Sequence, residues 1–125
     1  PYAMYKFLGE EVCKLYKESY NLNVEIARFY NVYGPGENID EIYGNVIGIW
    51  ISKIMKGEPL PIVGDGEQKR DFIYVKDCIK VLMWFLEKDN ISGIFNVGTG
   101  QARTFNDLVY NVYKNLKKNI IGLII

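Results

Sequence analysis

The 125 residues of this chain are enough for one domain with a buried core, and 49% of them are hydrophobic while 24% are charged. The 15 basic and 15 acidic side chains balance, so no net charge draws the protein to nucleic acid or to an anionic membrane. The lack of histidine excludes a Ser-His-Asp triad and most zinc sites, and no apolar run is long enough to span a bilayer.

Cysteine content and the amino-terminal segment bear on the cell compartment. Cys13 and Cys78 are too few and too far apart for a disulfide framework or a Cys-x-x-Cys metal site. The first residues lack the charged, apolar and small-residue parts of a secretory signal. Together these features predict a cytoplasmic protein with reduced thiols.

The first predicted element is an amphipathic helix over residues 3–20. Its apolar stripe has helical spacing and consists of Met4, Leu8, Val12 and Leu15. Tyr2 and Lys6 lie one helical turn apart on a different face. The next segment, NVEIARFYNV, alternates and is rich in β-forming residues, so it predicts a strand over about residues 23–31, followed by the glycine–proline loop YGPGEN.

Two further helices follow from apolar periodicity. The first covers residues 42–56 and ends at Gly57. Its apolar positions are Tyr43, Val46, Ile47, Trp50, Ile51, Ile54 and Met55. The second, over about residues 78–88, is apolar on most sides and is predicted to be well buried, with Asp77 as its N-cap. Trp50 and Trp84 have helical core spacing, so both are interpreted as packing residues.

The last third of the chain completes an alternation of helices and strands. DFIYV and GIFNV are short apolar segments, and Thr104 with Asp107 forms a capping signature before a final helix. This alternation predicts an α/β fold. Unpaired sheet edges and the hydrophobic ending NIIGLII indicate that the unit is part of something larger.

Several polar or glycine-rich segments are candidates for ligand binding. Arg70, just before an apolar strand, could hold a phosphate through its guanidinium or form a salt bridge with Asp71, Asp77 or a glutamate. Asn31 could present its amide to a ligand or stabilise a turn. The GDG and GTG segments allow close approach of the backbone to a phosphate, but each alone is more typical of a plain turn.

Five segments in order, YAMYK, RFYNVYGPGE, YGNVIGIWI, GDGEQKRDFIYVKD and GIFNVGTG, resemble the extended short-chain dehydrogenase/reductase superfamily. Within it, the likeness is to NAD-dependent nucleotide-sugar epimerases and dehydratases, and it covers residue 1 to about residue 113. The resemblance implies the carboxy-terminal part of a Rossmann-type α/β enzyme. Residues 1–125 would hold the Tyr-x-x-x-Lys helix and most of the small substrate-binding lobe, without the amino-terminal NAD-binding half.

The resemblance also implies roles for individual residues. Tyr2 matches the catalytic tyrosine that takes a proton from a sugar hydroxyl while a hydride passes to NAD. Lys6 matches the lysine that holds the nicotinamide ribose and favours the tyrosine's phenolate form. Tyr33 and Pro35 lie in a loop that passes near the nicotinamide in this superfamily. The implied substrate contacts are Asn31 and Arg70 with the diphosphate, and Val46 and Ile47 with the nucleobase.

The resemblance leaves the sugar open. NVYGP, YGNVIG and GDGEQKRDFIYVKD resemble UDP-glucose 4-epimerases, whereas SGIFNVGTGQARTFNDL resembles ADP-heptose 6-epimerases. A nucleotide-sugar 4,6-dehydratase and a non-catalytic, truncated substrate-lobe module are further alternatives.

The implied cofactor is NAD, with NADP as an alternative, and the implied partner is a nucleotide sugar. In the full-length form we expect a homodimer. The glycine-rich NAD fingerprint and the substrate-orienting serine or threonine would lie upstream of Pro1, so the 125 residues alone are expected to be inactive.

Overall fold

The computed structural model describes residues 1–40 and 42–116, so the hydrophobic ending discussed above lies outside the described residues. Helices and strands alternate along the chain, which confirms the predicted α/β class. In order they are α1 (Tyr2–Tyr20), β1 (Glu25–Phe29), β2 (Asn31–Tyr33), α2 (Val46–Lys56), β3 (Lys69–Tyr74), α3 (Val75–Leu86), β4 (Gly93–Val97), β5 (Ala102–Thr104) and α4 (Phe105–Leu116). None of the described helices combines the length and the apolar composition that crossing a bilayer requires.

The strands form two small sheets. β1 pairs in parallel with β4, whereas β3 is the centre of a second sheet, parallel to β2 and antiparallel to β5. The strand predicted over about residues 23–31 is confirmed as β1, but it is shorter than predicted because Asn31 already begins a strand of the second sheet. The Tyr30 backbone N–H still donates to the Val97 carbonyl at 3.0 Å, and from Asn31 onward the chain pairs with β3 instead.

Polar contacts join α1 to the first sheet. Arg28 in β1 donates two hydrogen bonds to the Glu10 carboxylate, at 2.7 and 2.5 Å, and Lys17 donates to the Ser92 hydroxyl at 2.7 Å. No residue of α1 is buried by the described part of the chain. The predicted apolar stripe is exposed at every position, namely Met4, Leu8, Val12 and Leu15. The helix is confirmed, but a different face of it meets the sheet.

The main core lies between α2 and α4. Its buried members are Trp50, Ile54, Leu60, Val109, Val112 and Tyr113. Trp50 is 1% exposed, and its ring meets that of Phe105 edge-on, with centroids 5.8 Å apart. The prediction that Trp50 is a packing residue is confirmed.

Helix α2 begins at Val46, four residues later than predicted, and ends before Gly57 as predicted. The Asp40 carboxylate accepts hydrogen bonds from the backbone N–H groups of Ile42 and Tyr43, at 2.8 and 3.1 Å. Such local side-chain bonds compete with helical ones and hold the segment in a turn. Tyr43 consequently stays 82% exposed and contributes nothing to the core.

Three predictions for α3 are wrong. The helix begins at Val75 with Tyr74 in the N-cap position, so Asp77 lies in the first turn and pairs with Lys80 at 2.7 Å instead of capping. Only Cys78 and Phe85 are buried, and most of the helix therefore lacks the predicted burial. Trp84 is 45% exposed, because the sheet covers only one stripe of the helix.

The capping signature before α4 is confirmed. The Thr104 hydroxyl accepts the Asp107 backbone N–H at 2.9 Å, and the Asp107 carboxylate accepts the Thr104 N–H at 3.3 Å. Next to it, the Asn106 amide donates to the Asp65 carbonyl at 3.0 Å and to the Glu67 carboxylate at 2.7 Å. These bonds tie the GDG turn to the start of α4 and fix the helix relative to β3.

Candidate active site

Four residues predicted to bind substrate line one cavity. It has a volume of about 220 Å³ and lies between β2, the start of α2 and β3. The four are Asn31, Val46, Ile47 and Arg70, and Tyr33 also contributes to the wall. The structure thus brings together side chains from three separate elements of the chain.

Asn31 is held at this cavity by a bond across the sheet. Its side-chain nitrogen donates to the Asp71 carbonyl at 2.8 Å. The side chain is otherwise exposed, and no other hydrogen bond of its amide is formed by the described residues. The amide oxygen and the second N–H therefore remain available to a ligand.

Arg70 has no acidic partner within residues 1–40 and 42–116. Its guanidinium donates to the Lys69 carbonyl at 2.8 Å and to the Gln68 side-chain oxygen at 3.3 Å, both neutral acceptors. The alternative of a salt bridge with Asp71 or Asp77 is not what the structure shows. An exposed guanidinium without a neutralising carboxylate is suited to binding phosphate oxygens in pairs.

Asp71 instead anchors the GTG segment. Its carboxylate accepts hydrogen bonds from the Thr99 backbone N–H at 3.0 Å, the Thr99 hydroxyl at 2.6 Å and the Gly100 N–H at 2.8 Å. Burial raises the pKa of the Asp71 carboxyl, but these bonds outweigh burial and hold the pKa below its ordinary value. Gly98 must lack a side chain, since a Cβ there would clash with the Tyr30 ring and with Asp71.

Sequence reasoning missed this role of Asp71, although one signal was present. Successive side chains of a strand point to opposite faces of the sheet. Asp71 must therefore point away from the face that Arg70 occupies, toward the GTG segment.

A second cavity, of about 760 Å³, lies beside the first, and the two share Tyr33, Ile47 and Phe72. Pro35 lines this larger cavity only. The predicted pair of Tyr33 and Pro35 thus borders it together, and the Tyr33 ring packs on that of Tyr74 with centroids 5.5 Å apart. Its volume is within the range of ordinary small-molecule sites.

Glu37 is a wall residue of the larger cavity that sequence reasoning did not single out. One of its carboxyl oxygens is buried and has no hydrogen-bond partner among the described residues. Burial raises the pKa of Glu37, and a hydrogen bond with the Asn45 side chain opposes part of that rise. Gly48 makes room for this carboxyl, because a Cβ at that position would come within 2.8 Å of Oε1.

Tyr2 and Lys6 lie together at the start of α1 but line neither of these cavities. The Lys6 ammonium nitrogen is 5.4 Å from the centroid of the Tyr2 ring, and Tyr2 is 73% exposed. The helix therefore places the phenol and the ammonium side by side, as their spacing predicts. Their catalytic roles stay predictions.

The chain is similar to known proteins in both sequence and fold. Residues 1–98 match the model of the NAD dependent epimerase/dehydratase family. The chain is 38% identical over 111 residues to an ADP-L-glycero-D-manno-heptose-6-epimerase of Nitratidesulfovibrio vulgaris, a match that covers 82% of this chain and 34% of that protein. It is 41% identical over 108 residues to a putative UDP-glucose 4-epimerase of Methanocaldococcus jannaschii, covering 86% and 34%. The chain thus spans about a third of the length of these curated relatives.

Among solved structures, the fold is similar to that of a UDP-N-acetylglucosamine 4-epimerase from Methanobrevibacter ruminantium in complex with UDP-N-acetylmuramic acid. The TM-score is 0.91 at 38% identity, over 100% of this chain and 39% of that one. This likeness confirms the predicted Rossmann-type class, of which the chain contains a part. From the match over residues 1–98 and these similarities, the chain belongs to the NAD dependent epimerase/dehydratase family.

Proposed function

We propose that this chain is the substrate-binding part of an NAD-dependent nucleotide-sugar epimerase of the UDP-glucose 4-epimerase type, with the NAD-binding half outside these 125 residues. The observation that carries the proposal is the position of Asn31, Val46, Ile47 and Arg70 around one cavity of about 220 Å³. Family membership supports the reaction class. The 41% identity to a putative UDP-glucose 4-epimerase supports the choice of sugar nucleotide.

The chemistry of the cavity matches the parts of such a substrate. Arg70 carries a positive charge that no described carboxylate neutralises, and its planar fork can hold diphosphate oxygens. Asn31 presents an oriented amide beside it. Val46 and Ile47 supply apolar surface at the start of α2, against which a nucleobase can pack.

The proposed chemical step uses the exposed pair on α1. A bound NAD would supply the hydride chemistry, as the acceptor for the hydride of the sugar carbon and as its donor when the keto sugar is reduced again on the other face. Tyr2 takes the proton of the hydroxyl on that same carbon and gives it back when the carbonyl is reduced, and Lys6 would hold the nicotinamide ribose. The pair suits this role in that both groups share one helical turn and the phenol is exposed to a ligand. Tyr33 and Pro35 would border the nicotinamide side of the site.

Specific observations favour other candidates less strongly. The 38% identity to an ADP-L-glycero-D-manno-heptose-6-epimerase supports a heptose substrate, and the family also includes dehydratases. A non-catalytic substrate lobe would agree with the separation of Tyr2 and Lys6 from both cavities. The use of NAD instead of NADP, the homodimer and the cytoplasmic location likewise remain proposals.

The test is turnover of a nucleotide-sugar panel, in the presence of NAD, by the protein that carries the proposed NAD-binding half together with these 125 residues. The panel contains UDP-glucose, an ADP-heptose and dTDP-glucose, and we expect UDP-glucose to be converted fastest. Tyr2→Phe should lower kcat by about 100-fold or more, the usual contribution of a general base, with little change in KM. Tyr110→Phe is the matched control, since the Lys114 ammonium lies 5.9 Å from the Tyr110 ring centroid in the same local arrangement.

The possible outcomes separate the candidates. Fastest turnover of the ADP-heptose or dehydration of dTDP-glucose would replace the proposed substrate. Unchanged kcat in Tyr2→Phe would remove Tyr2 as the base. Binding of nucleotide sugars without any turnover would favour the non-catalytic lobe.

A further inference from the structure

Glu37 lines the larger cavity with a carboxyl group that the protein uses only in part. Its backbone N–H donates to the Gly34 carbonyl at 3.3 Å, which holds the residue in the loop after β2. Its side chain lies against Gly48 in the first turn of α2. One carboxyl oxygen is buried and has no hydrogen-bond partner among the described residues. The residue is therefore fixed in the cavity wall with one acceptor unused.

An unpaired buried oxygen destabilises a folded protein, because the oxygen loses its hydrogen bonds to water and gains none in return. Almost all buried polar groups in native proteins have a partner, so an exception requires an explanation. Within residues 1–40 and 42–116, no basic side chain forms an ion pair with Glu37. Arg103, which lines the same cavity, donates to the Gln101 side-chain oxygen at 3.1 Å. A donor from a ligand in the cavity is the partner that explains the unused oxygen.

Helix α4 adds two further acceptors to the same cavity. Asn111 and Asn115 lie one helical turn apart, and both line it. Their side-chain nitrogens donate at 2.7 Å to the backbone carbonyls of Asp107 and Asn111, respectively. Because the nitrogens are engaged, the amide oxygens are left as acceptors. The cavity thus presents several acceptors between apolar wall residues such as Ile51 and Val112.

A sugar matches this combination of groups, since its hydroxyls donate hydrogen bonds and its ring carbons pack on apolar walls. The position of the cavity agrees with such a ligand. The larger cavity adjoins the smaller one that Arg70 lines, and Tyr33, Ile47 and Phe72 are common to both. The sugar of a ligand whose diphosphate is bound at Arg70 would therefore reach the larger cavity.

We propose that the larger cavity is the sugar subsite and that Glu37 is a specificity-determining residue, which accepts a hydrogen bond from a sugar hydroxyl and excludes acidic sugars. A carboxylate forms a strong, charge-assisted bond with a hydroxyl, but it repels a sugar that carries a carboxylate of its own. The inference rests on the proposed function, because it assumes that a nucleotide sugar binds with its diphosphate at Arg70. It adds the residue that separates neutral from acidic sugars.

The test is calorimetric titration with UDP-glucose, UDP-glucuronic acid and UDP, at about pH 8 so that an ordinary carboxyl is ionised. The protein is the one that carries the proposed NAD-binding half together with these 125 residues. Wild type should bind UDP-glucose at least about tenfold more tightly than UDP-glucuronic acid, because the two carboxylates repel each other.

Glu37→Gln removes the charge and keeps the size of the side chain. It should weaken the binding of UDP-glucose by about threefold to tenfold and tighten that of UDP-glucuronic acid. The affinity for UDP, which has no hexose to fill the larger cavity, should stay within about twofold. Asp77→Asn is the matched control, since it removes one negative charge from an exposed pair on α3 that lines neither cavity. All three affinities should stay within about twofold in this control.

A second readout distinguishes a binding role from a structural one. Without ligand, Glu37→Leu should raise Tm, because it removes an unpaired buried oxygen. Asn45, whose side chain bonds to the Glu37 carboxyl, is exposed and can bond to water instead. With UDP-glucose, the ligand-induced rise in Tm should shrink in the same variant. A lower Tm without ligand and an unchanged rise with UDP-glucose would make Glu37 a structural residue and overturn the inference.

The failure of this inference can be told apart from failure of the proposed function. If wild type binds UDP-glucose but Glu37→Gln binds both sugars with wild-type affinities, the role of Glu37 is overturned and the proposed function stands. The same holds if wild type binds UDP-glucuronic acid as tightly as UDP-glucose. If wild type binds neither nucleotide sugar, both proposals are overturned.

Discussion

The core between α2 and α4 and the layer that contains α1 are built in opposite ways. Trp50, Ile54 and Tyr113 are at most 1% exposed, whereas α1 has no buried residue in the described part of the chain and is held by exposed polar contacts. The residues proposed to bind substrate are therefore supported by a packed core. The proposed catalytic pair stands on a helix that this part of the chain supports weakly.

The largest expected effect on stability is the loss of a core side chain, compared with the loss of a side chain from the exposed α1 stripe. Trp50→Ala should lower the free energy of unfolding by about 3–5 kcal/mol, since it removes a large buried ring and leaves a cavity. Leu8→Ala should change it by less than about 0.5 kcal/mol, because Leu8 is 48% exposed. Urea denaturation of both variants measures the contrast. Equal losses would show that α1 packs as tightly as α2.

A smaller effect is expected at the junction of the two sheets. Asp71→Ala should lower the free energy of unfolding at pH 7 by about 1–3 kcal/mol, because two backbone N–H groups and the Thr99 hydroxyl lose their acceptor. Thr99→Val removes the hydroxyl that donates to Asp71 and accepts the Gln101 N–H at 3.1 Å, but it keeps the two backbone bonds to the Asp71 carboxylate, so it should cost about 1 kcal/mol. Urea midpoints give both values. A larger loss for Thr99→Val than for Asp71→Ala would contradict the anchoring role.

The lowered pKa of Asp71 also predicts how the free energy of unfolding changes with pH. The pKa of Asp71 is lowered in the folded protein, so its stabilisation is complete above the ordinary pKa of 3.8. It is lost as the pH falls through the lower folded-state pKa. The gap in stability between wild type and Asp71→Ala should therefore close below about pH 4. If the stability difference between wild type and Asp71→Ala grew on acidification, the pKa of Asp71 would be raised in the folded protein and not lowered.

The sequence could predict features that depend on neighbouring residues, but not features that depend on contacts between distant parts of the chain. Periodicity placed α1, α2 and the capped start of α4, because helical spacing and capping are local properties. It could not tell which stripe would be covered, and for that reason the burial of Trp84 was predicted wrongly. The late start of α2 also escaped it, since Asp40 bonds to the backbone of its own turn.

The same limit separates the site residues that were predicted from the one that was not. Asn31, Val46, Ile47 and Arg70 were predicted from resemblance to a family, and the structure brings them to one cavity. Glu37 was not predicted. Its place in the wall depends on burial against α2. Such burial cannot be calculated from a single sequence.

The central claim, that a nucleotide diphosphate binds between β2, α2 and β3, is tested most directly by NMR titration of the ¹⁵N-labelled protein with UDP. Backbone amide shifts should concentrate at Asn31, Val46, Ile47 and Arg70, while amides such as that of Glu11 on α1 should stay unchanged. Shifts confined to α1 and the first sheet, or none at saturating UDP, would contradict it.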